Sequence, residues 1–125
     1  MRVVIVSALA AALLAATPAA AQSGGDLDAF VTRANRIPFN ATAMLRPDAH
    51  RLKSEAERAF AAVHREIRSA RAAGRTPPAC PPERIEINPR QVLDFLNGIP
   101  QARRRTMTVT DGVRAWMTSR YPCSA

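Results

Sequence analysis

The sequence has 125 residues, which is enough for one domain, and 47% of them are hydrophobic. The formal net charge is +8, but only six aromatic side chains accompany it. None of these interleaves with an arginine cluster, as a base-stacking nucleic-acid surface would require. We therefore expect the positive charge to form a solvated basic surface and expect no nucleic-acid partner.

The first 21 residues are typical of a secretory signal peptide. Arg2 gives a positive start, residues 3–16 form a small or apolar run apart from Ser7, and Ala19–Ala21 has the small-residue form of a cleavage site. A membrane-spanning helix needs ~20 apolar residues, and this run is shorter. We expect cleavage between Ala21 and Gln22 and a periplasmic or secreted product that does not insert stably into a membrane.

The remaining chain, residues 22–125, is expected to form a single helical domain. Because Arg2 is the only charged residue in the first 21, the mature chain keeps 17 basic and 10 acidic side chains, a net charge of about +7. A domain of this size buries one modest core, and its stability is marginal unless a cross-link adds to it.

The first predicted helix begins after Asp26, which is a good N-cap, and ends before Pro38. Its apolar face consists of Leu27, Phe30, Val31 and Ala34. Residues 37–47 have no sustained hydrophobic period and contain two prolines. They predict an irregular connection.

The strongest helix prediction covers Asp48 to Ala73, with Gly74 at its C-terminal end. Apolar residues recur there at spacings of three and four: Leu52, Ala56, Ala59, Phe60, Val63, Ile67 and Ala70. Arginines occupy the opposite side, so the helix could lie on an anionic lipid surface. Because alanine fills three of the seven apolar positions, packing into a core is the favoured interpretation.

The proline-rich residues 74–82 exclude a helix and predict a stiff connector. Asn88 and Pro89 then form a helix start, with the N-cap followed by proline at the first helical position. The buried face of this helix is predicted to contain Val92, Leu93, Phe95, Leu96 and Ile99. We expect Asn97-Gly98 to end the helix, with Gly98 in a left-handed conformation.

Three adjacent arginines, Arg103, Arg104 and Arg105, follow Pro100. Because like charges repel, all three are expected to be exposed on a turn. The last helix is predicted to start near Thr106 or Thr108 and to end at Arg120. Its inner face is formed by Val109, Val113, Trp116 and Met117, and we expect Trp116 and Phe95 to anchor the core.

The only two cysteines, Cys80 and Cys123, are expected to form a disulfide, since paired cysteines in a small exported domain usually bridge. The bridge would close a loop of 44 residues. The loop-entropy model assigns it roughly 4 kcal/mol. Free thiols and an intermolecular bridge are the alternatives. The predicted fold class is all-α, a small bundle of about four helices stapled by one disulfide.

Motifs for catalysis are missing from the sequence, and we expect a protein that is not an enzyme and needs no cofactor. His50 and His64 are the only histidines, and on one helix they would lie ~21 Å apart, too far to share a metal. Bridged cysteines would supply neither a nucleophile nor a metal ligand. Nucleophile-elbow, zinc-protease and glycine-rich phosphate-loop patterns are also missing.

The cysteine-bounded segment resembles the Rap/Tai family of exported immunity proteins over residues 80 to 123. The resemblance rests on four short motifs in that segment: Cys80-Pro81-Pro82, Val92-Leu93-Asp94-Phe95-Leu96, Ile99-Pro100-Gln101-Ala102-Arg103 and Tyr121-Pro122-Cys123. It implies a small all-helical periplasmic protein, often a homodimer. Such a protein would plug the active-site groove of a cell-wall amidase effector of type VI secretion.

Under this interpretation, the contact surface is the segment Gly98–Thr106 with Arg103, Arg104 and Arg105, together with the exposed face of the long helix. Two other functions remain open. One is a periplasmic acid-stress chaperone that exposes apolar surface at low pH. The other is a helical protein that binds the anionic envelope through its arginines, in which case salt would weaken binding.

Overall fold

The computed structural model describes residues 25–124, so the predicted signal peptide (1–21) and its cleavage site lie outside the described residues. Five α-helices follow one another: α1 (Leu27–Ala34), α2 (Pro47–Ala72), α3 (Pro89–Gly98), α4 (Gln101–Arg104) and α5 (Val109–Arg120). A short 3₁₀ helix, Ala41–Leu45, precedes α2. The predicted all-α class is confirmed, and the helix beyond the expected four is the single turn α4.

The core forms where the long helix α2 packs against α5. Five members of the predicted apolar stripe of α2 are buried and two, Ala56 and Phe60, are partly buried. The inner face predicted for α5 is buried as well. Trp116 meets the rings of Phe60 and Tyr121 edge-on, with centroids 5.7 and 6.1 Å away. Helical periodicity therefore located the main packing interface correctly.

Helix α1 is joined to the start of α5 by a short antiparallel bridge. The backbone N–H of Leu27 donates to the carbonyl oxygen of Met107 at 2.9 Å, and that of Val109 donates to Gly25 at 3.0 Å. The side chain of Asp26 caps α1, as predicted, by accepting from the backbone of Asp28. This bridge, which nothing in the hydrophobic pattern indicates, fixes α1 against the core.

The connection between α1 and α2 is more regular than predicted. The side chain of Asn40 accepts hydrogen bonds from the backbone N–H groups of Thr42 and Ala43, and so caps the 3₁₀ helix. Ala43 is buried, whereas the next two residues are exposed. The prolines Pro38 and Pro47 flank this turn without preventing it.

Helix α3 begins as predicted, because the side chain of Asn88 accepts from the backbone of Arg90 and Gln91. It also ends at Asn97-Gly98 as predicted, but the left-handed conformation predicted for Gly98 is wrong. Gly98 is the last helical residue, and the only residue with positive φ between 25 and 124 is Gly74 (φ 68°), which follows α2. Of the predicted buried face of α3, Leu96 is fully buried and the other four residues are partly buried.

The predicted disulfide is confirmed. Cys80 and Cys123 are joined with an S–S distance of 2.00 Å and a Cα–Cα distance of 4.9 Å. Beside the bridge, the backbone N–H of Cys80 donates to the carbonyl oxygen of Tyr121 at 2.8 Å. The connector after α2 is therefore tied to the end of α5, and residues 80–123 form one closed unit.

Candidate partner-binding site

The three adjacent arginines lie on and just after helix α4, in the segment that we name the arginine turn (Gly98–Thr106). The prediction that all three are exposed is wrong for one of them. Arg103 is exposed and the side chain of Arg105 is 64% exposed, but that of Arg104 is only 13% exposed. A helical turn separates the three side chains in direction, because consecutive residues on a helix do not face the same way.

Arg104 turns inward and closes the end of helix α3. Its guanidinium donates to the carbonyl oxygens of Ile99 at 2.8 Å and Asn97 at 3.2 Å, with a longer contact to Leu96 at 3.5 Å. The last carbonyls of a helix lack intrahelical partners, and an arginine can satisfy them. Arg104 therefore satisfies the last carbonyl groups of α3, a role that the sequence predicted for a left-handed Gly98.

The same guanidinium is anchored to α1 through Asp28. Arg104 Nε lies 3.1 Å from Asp28 Oδ1, and the Asp28 side chain is 15% exposed. Burial raises the pKa of Asp28, but hydrogen bonds from Arg104 and Gln101, together with the charges of Arg104 and Arg105, outweigh it and lower the pKa below its ordinary value. Asp28 is thus a carboxylate that holds the arginine turn in place.

The result is a rigid, positively charged corner. Arg104 is fixed from one side by Asp28 and from the other by α3, so α4 has little freedom to move. Arg103 and Arg105 project from it, and Arg105 Nε is 3.9 Å from Asp28 Oδ2, at the limit of an ion pair. Exposed guanidinium groups on a fixed backbone suit bidentate recognition of carboxylates on another molecule.

A shallow groove of about 330 Å³ runs between the end of α1 and helix α3. Asn35 and Asn97 line this groove, and their side-chain amides exchange two hydrogen bonds, each 3.0 Å long. At its far end, the guanidinium of Arg90 lies 5.0 Å from the centre of the Phe39 ring. The Asn97 carbonyl also accepts from Arg104, so the groove begins beside the arginine turn.

A second polar network joins α2 to the start of α5, and the hydrophobic pattern of the sequence did not indicate it. Arg114 pairs with Glu66 on α2 at 2.6 Å and with Asp111 at 2.7 Å. Hydrogen bonding to Arg114 lowers the pKa of Glu66, and this pairing raises the pKa of Arg114. Thr108 and Asp111 form a capping box at the start of α5. The spacing Thr-x-x-Asp was the available signal.

Metal binding finds no support in the part of the chain that is described. His50 and His64 are both exposed on α2. Residues 25–124 contain no group of three or more histidine, cysteine or acidic side chains placed to hold an ion. Over the same residues, no helix is both long and apolar enough to cross a membrane.

Comparison of the chain with protein families, curated proteins and solved structures finds no match. The geometry of the candidate site rests on Arg103 and Arg105 on the outside, and on Arg104 and Asp28 beneath them.

Proposed function

We propose that the chain is an exported, non-catalytic binding protein that acts like the Rap/Tai immunity proteins, by occupying the active-site groove of a cell-wall amidase effector. The observation that supports this proposal is the fixed arginine turn. Arg104 is anchored to Asp28 and to the end of α3, while Arg103 and Arg105 remain exposed. A partner with carboxylates near its groove would meet guanidinium groups that are already positioned, which reduces the entropy lost on binding.

The experiment uses the chain from Gln22, which contains every contact described above, as bait in secreted and periplasmic extracts at moderate salt. Capture of a cell-wall hydrolase in stoichiometric amount, with its activity inhibited, supports the proposal. The double variant Arg103→Ala/Arg105→Ala then tests the surface. We expect a loss of affinity of at least about tenfold, since each side chain would lose a charged contact.

The matched control is Arg75→Ala/Arg84→Ala, which removes the same charge at two exposed arginines outside the arginine turn. Full affinity of the Arg103→Ala/Arg105→Ala protein would exclude the turn as the interface, and an equal loss in both double variants would reduce its role to net charge. Arg104 is left intact in both proteins. Its removal would loosen α4 and would confuse a folding effect with a binding effect.

The acid-stress chaperone is the second candidate, and the ion pairs that link the helices favour it. Asp28, Glu66 and Asp111 all have a lowered pKa and pair with arginines on neighbouring turns or helices. Their protonation would remove these pairs and loosen the helices. Binding of an apolar dye near pH 3, together with capture of unrelated unfolded proteins only at that pH, supports this candidate and would displace the immunity proposal.

A further inference from the structure

Exposed apolar side chains are concentrated in one short segment, which we name the apolar turn (residues 39–45). Four large hydrophobic side chains are exposed between residues 25 and 124, and three of them lie here: Phe39 at 50%, Met44 at 57% and Leu45 at 82%. The fourth, Ile87, is 42% exposed and lies in another part of the chain. Single exposed apolar residues are ordinary, whereas a cluster of them marks a binding surface.

Hydrogen bonds and packing fix the backbone of the apolar turn. The side chain of Asn40 accepts from the backbone of Thr42 at 3.1 Å and of Ala43 at 3.2 Å, and the 3₁₀ helix packs against α2. Ala43 is buried, which fixes the middle of the turn. Met44 and Leu45 follow directly and stay exposed, so a fixed backbone presents them to the surroundings.

Positive charge surrounds this apolar surface. Residues 33–57 contain five basic and three acidic side chains, a net charge of +2. Three of the basic side chains are paired with the acidic ones: Arg33 with Glu55, Arg46 with Asp48 and Lys53 with Glu57. Arg36 and Arg51 are exposed on either side of the turn, and Arg90 stacks on the Phe39 ring. A binding partner that complements this arrangement has an apolar interior and a negatively charged surface.

We propose that the apolar turn is a peripheral membrane-binding site, which inserts Met44 and Leu45 into the surface of an anionic phospholipid bilayer. Binding at a bilayer surface combines buried apolar area with attraction between basic side chains and lipid phosphates. Three side chains on seven residues suit shallow insertion. They are few for a protein interface, which buries about 800 Å² on each partner. The arginine turn is anchored to Asp28 in the first turn of α1, whereas the apolar turn follows the last turn of α1, so the two surfaces consist of different residues.

The test is co-sedimentation of the chain from Gln22 with vesicles of phosphatidylcholine, made with and without phosphatidylglycerol. We expect binding only to the anionic vesicles, and binding that weakens as salt is raised. The double variant Met44→Ser/Leu45→Ser should bind at least about tenfold more weakly, because it removes the inserted apolar area. Both side chains are exposed, so circular dichroism and the thermal midpoint should stay close to those of the unchanged chain.

The matched control is Ile87→Ser, which removes an exposed apolar side chain from outside the apolar turn and should keep full vesicle binding. The proposal is overturned by equal binding of the double variant, by equal loss in the control, or by failure of the unchanged chain to bind anionic vesicles. Loss of a captured protein partner in Met44→Ser/Leu45→Ser, with no vesicle binding by any form, would assign the turn to protein docking instead.

Discussion

Two sides of this small protein are held together by different means. Where α2 meets α5, buried apolar side chains such as Val63, Ile67 and Val113 fill the interface. Where α3 and α4 meet α1, Leu96 is the one fully buried side chain of α3, and side-chain hydrogen bonds supplement the packing. The Asn35–Asn97 amide pair and the Arg104–Asp28 ion pair join the helices there. We expect the first side to determine stability and the second to determine the shape of the exposed surface.

The largest expected effect distinguishes two aromatic residues, Trp116 and Phe95, that were both expected to anchor the core. Trp116 is buried between Phe60 and Tyr121, whereas Phe95 on α3 is only partly buried. Trp116→Ala should lower the free energy of unfolding by about 3–5 kcal/mol. Phe95→Ala should cost less than half of that, because less of its area leaves water on folding. Urea denaturation of both variants measures the difference, and equal losses would contradict the contrast between the two sides.

The disulfide gives the next largest effect. Replacing both cysteines, Cys80→Ser with Cys123→Ser, should lower stability by about 2–4 kcal/mol, because the unfolded chain regains the freedom of a long loop. Since the bridge joins the connector after α2 to the end of α5, the loss should fall on the α2–α5 side. Hydrogen exchange should therefore show earlier opening near Tyr121 than at the arginine turn, and the reverse order would be evidence against this assignment.

Most of the apolar architecture could be predicted from the sequence. A stripe at spacings of three and four gave α2 to within one residue at each end, and Asn88-Pro89 located the start of α3. These signals are local, since they depend on the period of one helix or on one cap. The fold class followed from these signals, whereas the disulfide followed from composition, since Cys80 and Cys123 are the only two cysteines of a small domain expected to be exported.

The polar contacts between helices could not be predicted in this way. Arg104 looked like its two neighbours, and only the position of Asp28, 76 residues earlier, shows which of the three arginines turns inward. A contact over that distance has no signature in hydrophobic periodicity. Gly98 does not adopt the left-handed conformation that was expected of it, because Arg104 satisfies the carbonyls of α3 instead. This contact, too, has no signature in the local sequence.

Arg104 provides the third prediction. Arg104→Met keeps most of the side-chain length but removes the bonds to Asp28 and to the end of α3, and should lower stability by about 2 kcal/mol. Arg103→Met is the matched control on the same turn, and its effect should lie within about 0.5 kcal/mol because this side chain is exposed. Denaturation curves of the two variants measure the difference between their free energies of unfolding. A similar loss in both would mean that Arg104 has no special structural role.

Substitutions at two glycines should change stability by smaller amounts and in opposite directions. A Cβ at Gly112 would lie 2.7 Å from Leu27 Cδ1 and 3.0 Å from Leu96 Cδ2, both on buried side chains. Gly112→Ala should therefore destabilise by about 1 kcal/mol, even after the gain in helix propensity. Gly98→Ala meets no atom within 4 Å and is helical, so it should stabilise slightly. Destabilisation by Gly98→Ala would instead favour the left-handed cap that the sequence suggested.

The smallest effect concerns pH and the Glu66–Arg114–Asp111 network. Both carboxylates have a lower pKa in the folded protein than their ordinary values of 4.5 and 3.8, so the unfolded chain binds more protons in acid. The stabilisation is therefore complete above about pH 5 and is lost as pH falls through the folded pKa values. These groups are partly exposed, so we expect about 1 kcal/mol in total. Glu66→Gln should reduce this acid sensitivity, measured as the thermal midpoint against pH, and an unchanged profile would exclude Glu66 as its source.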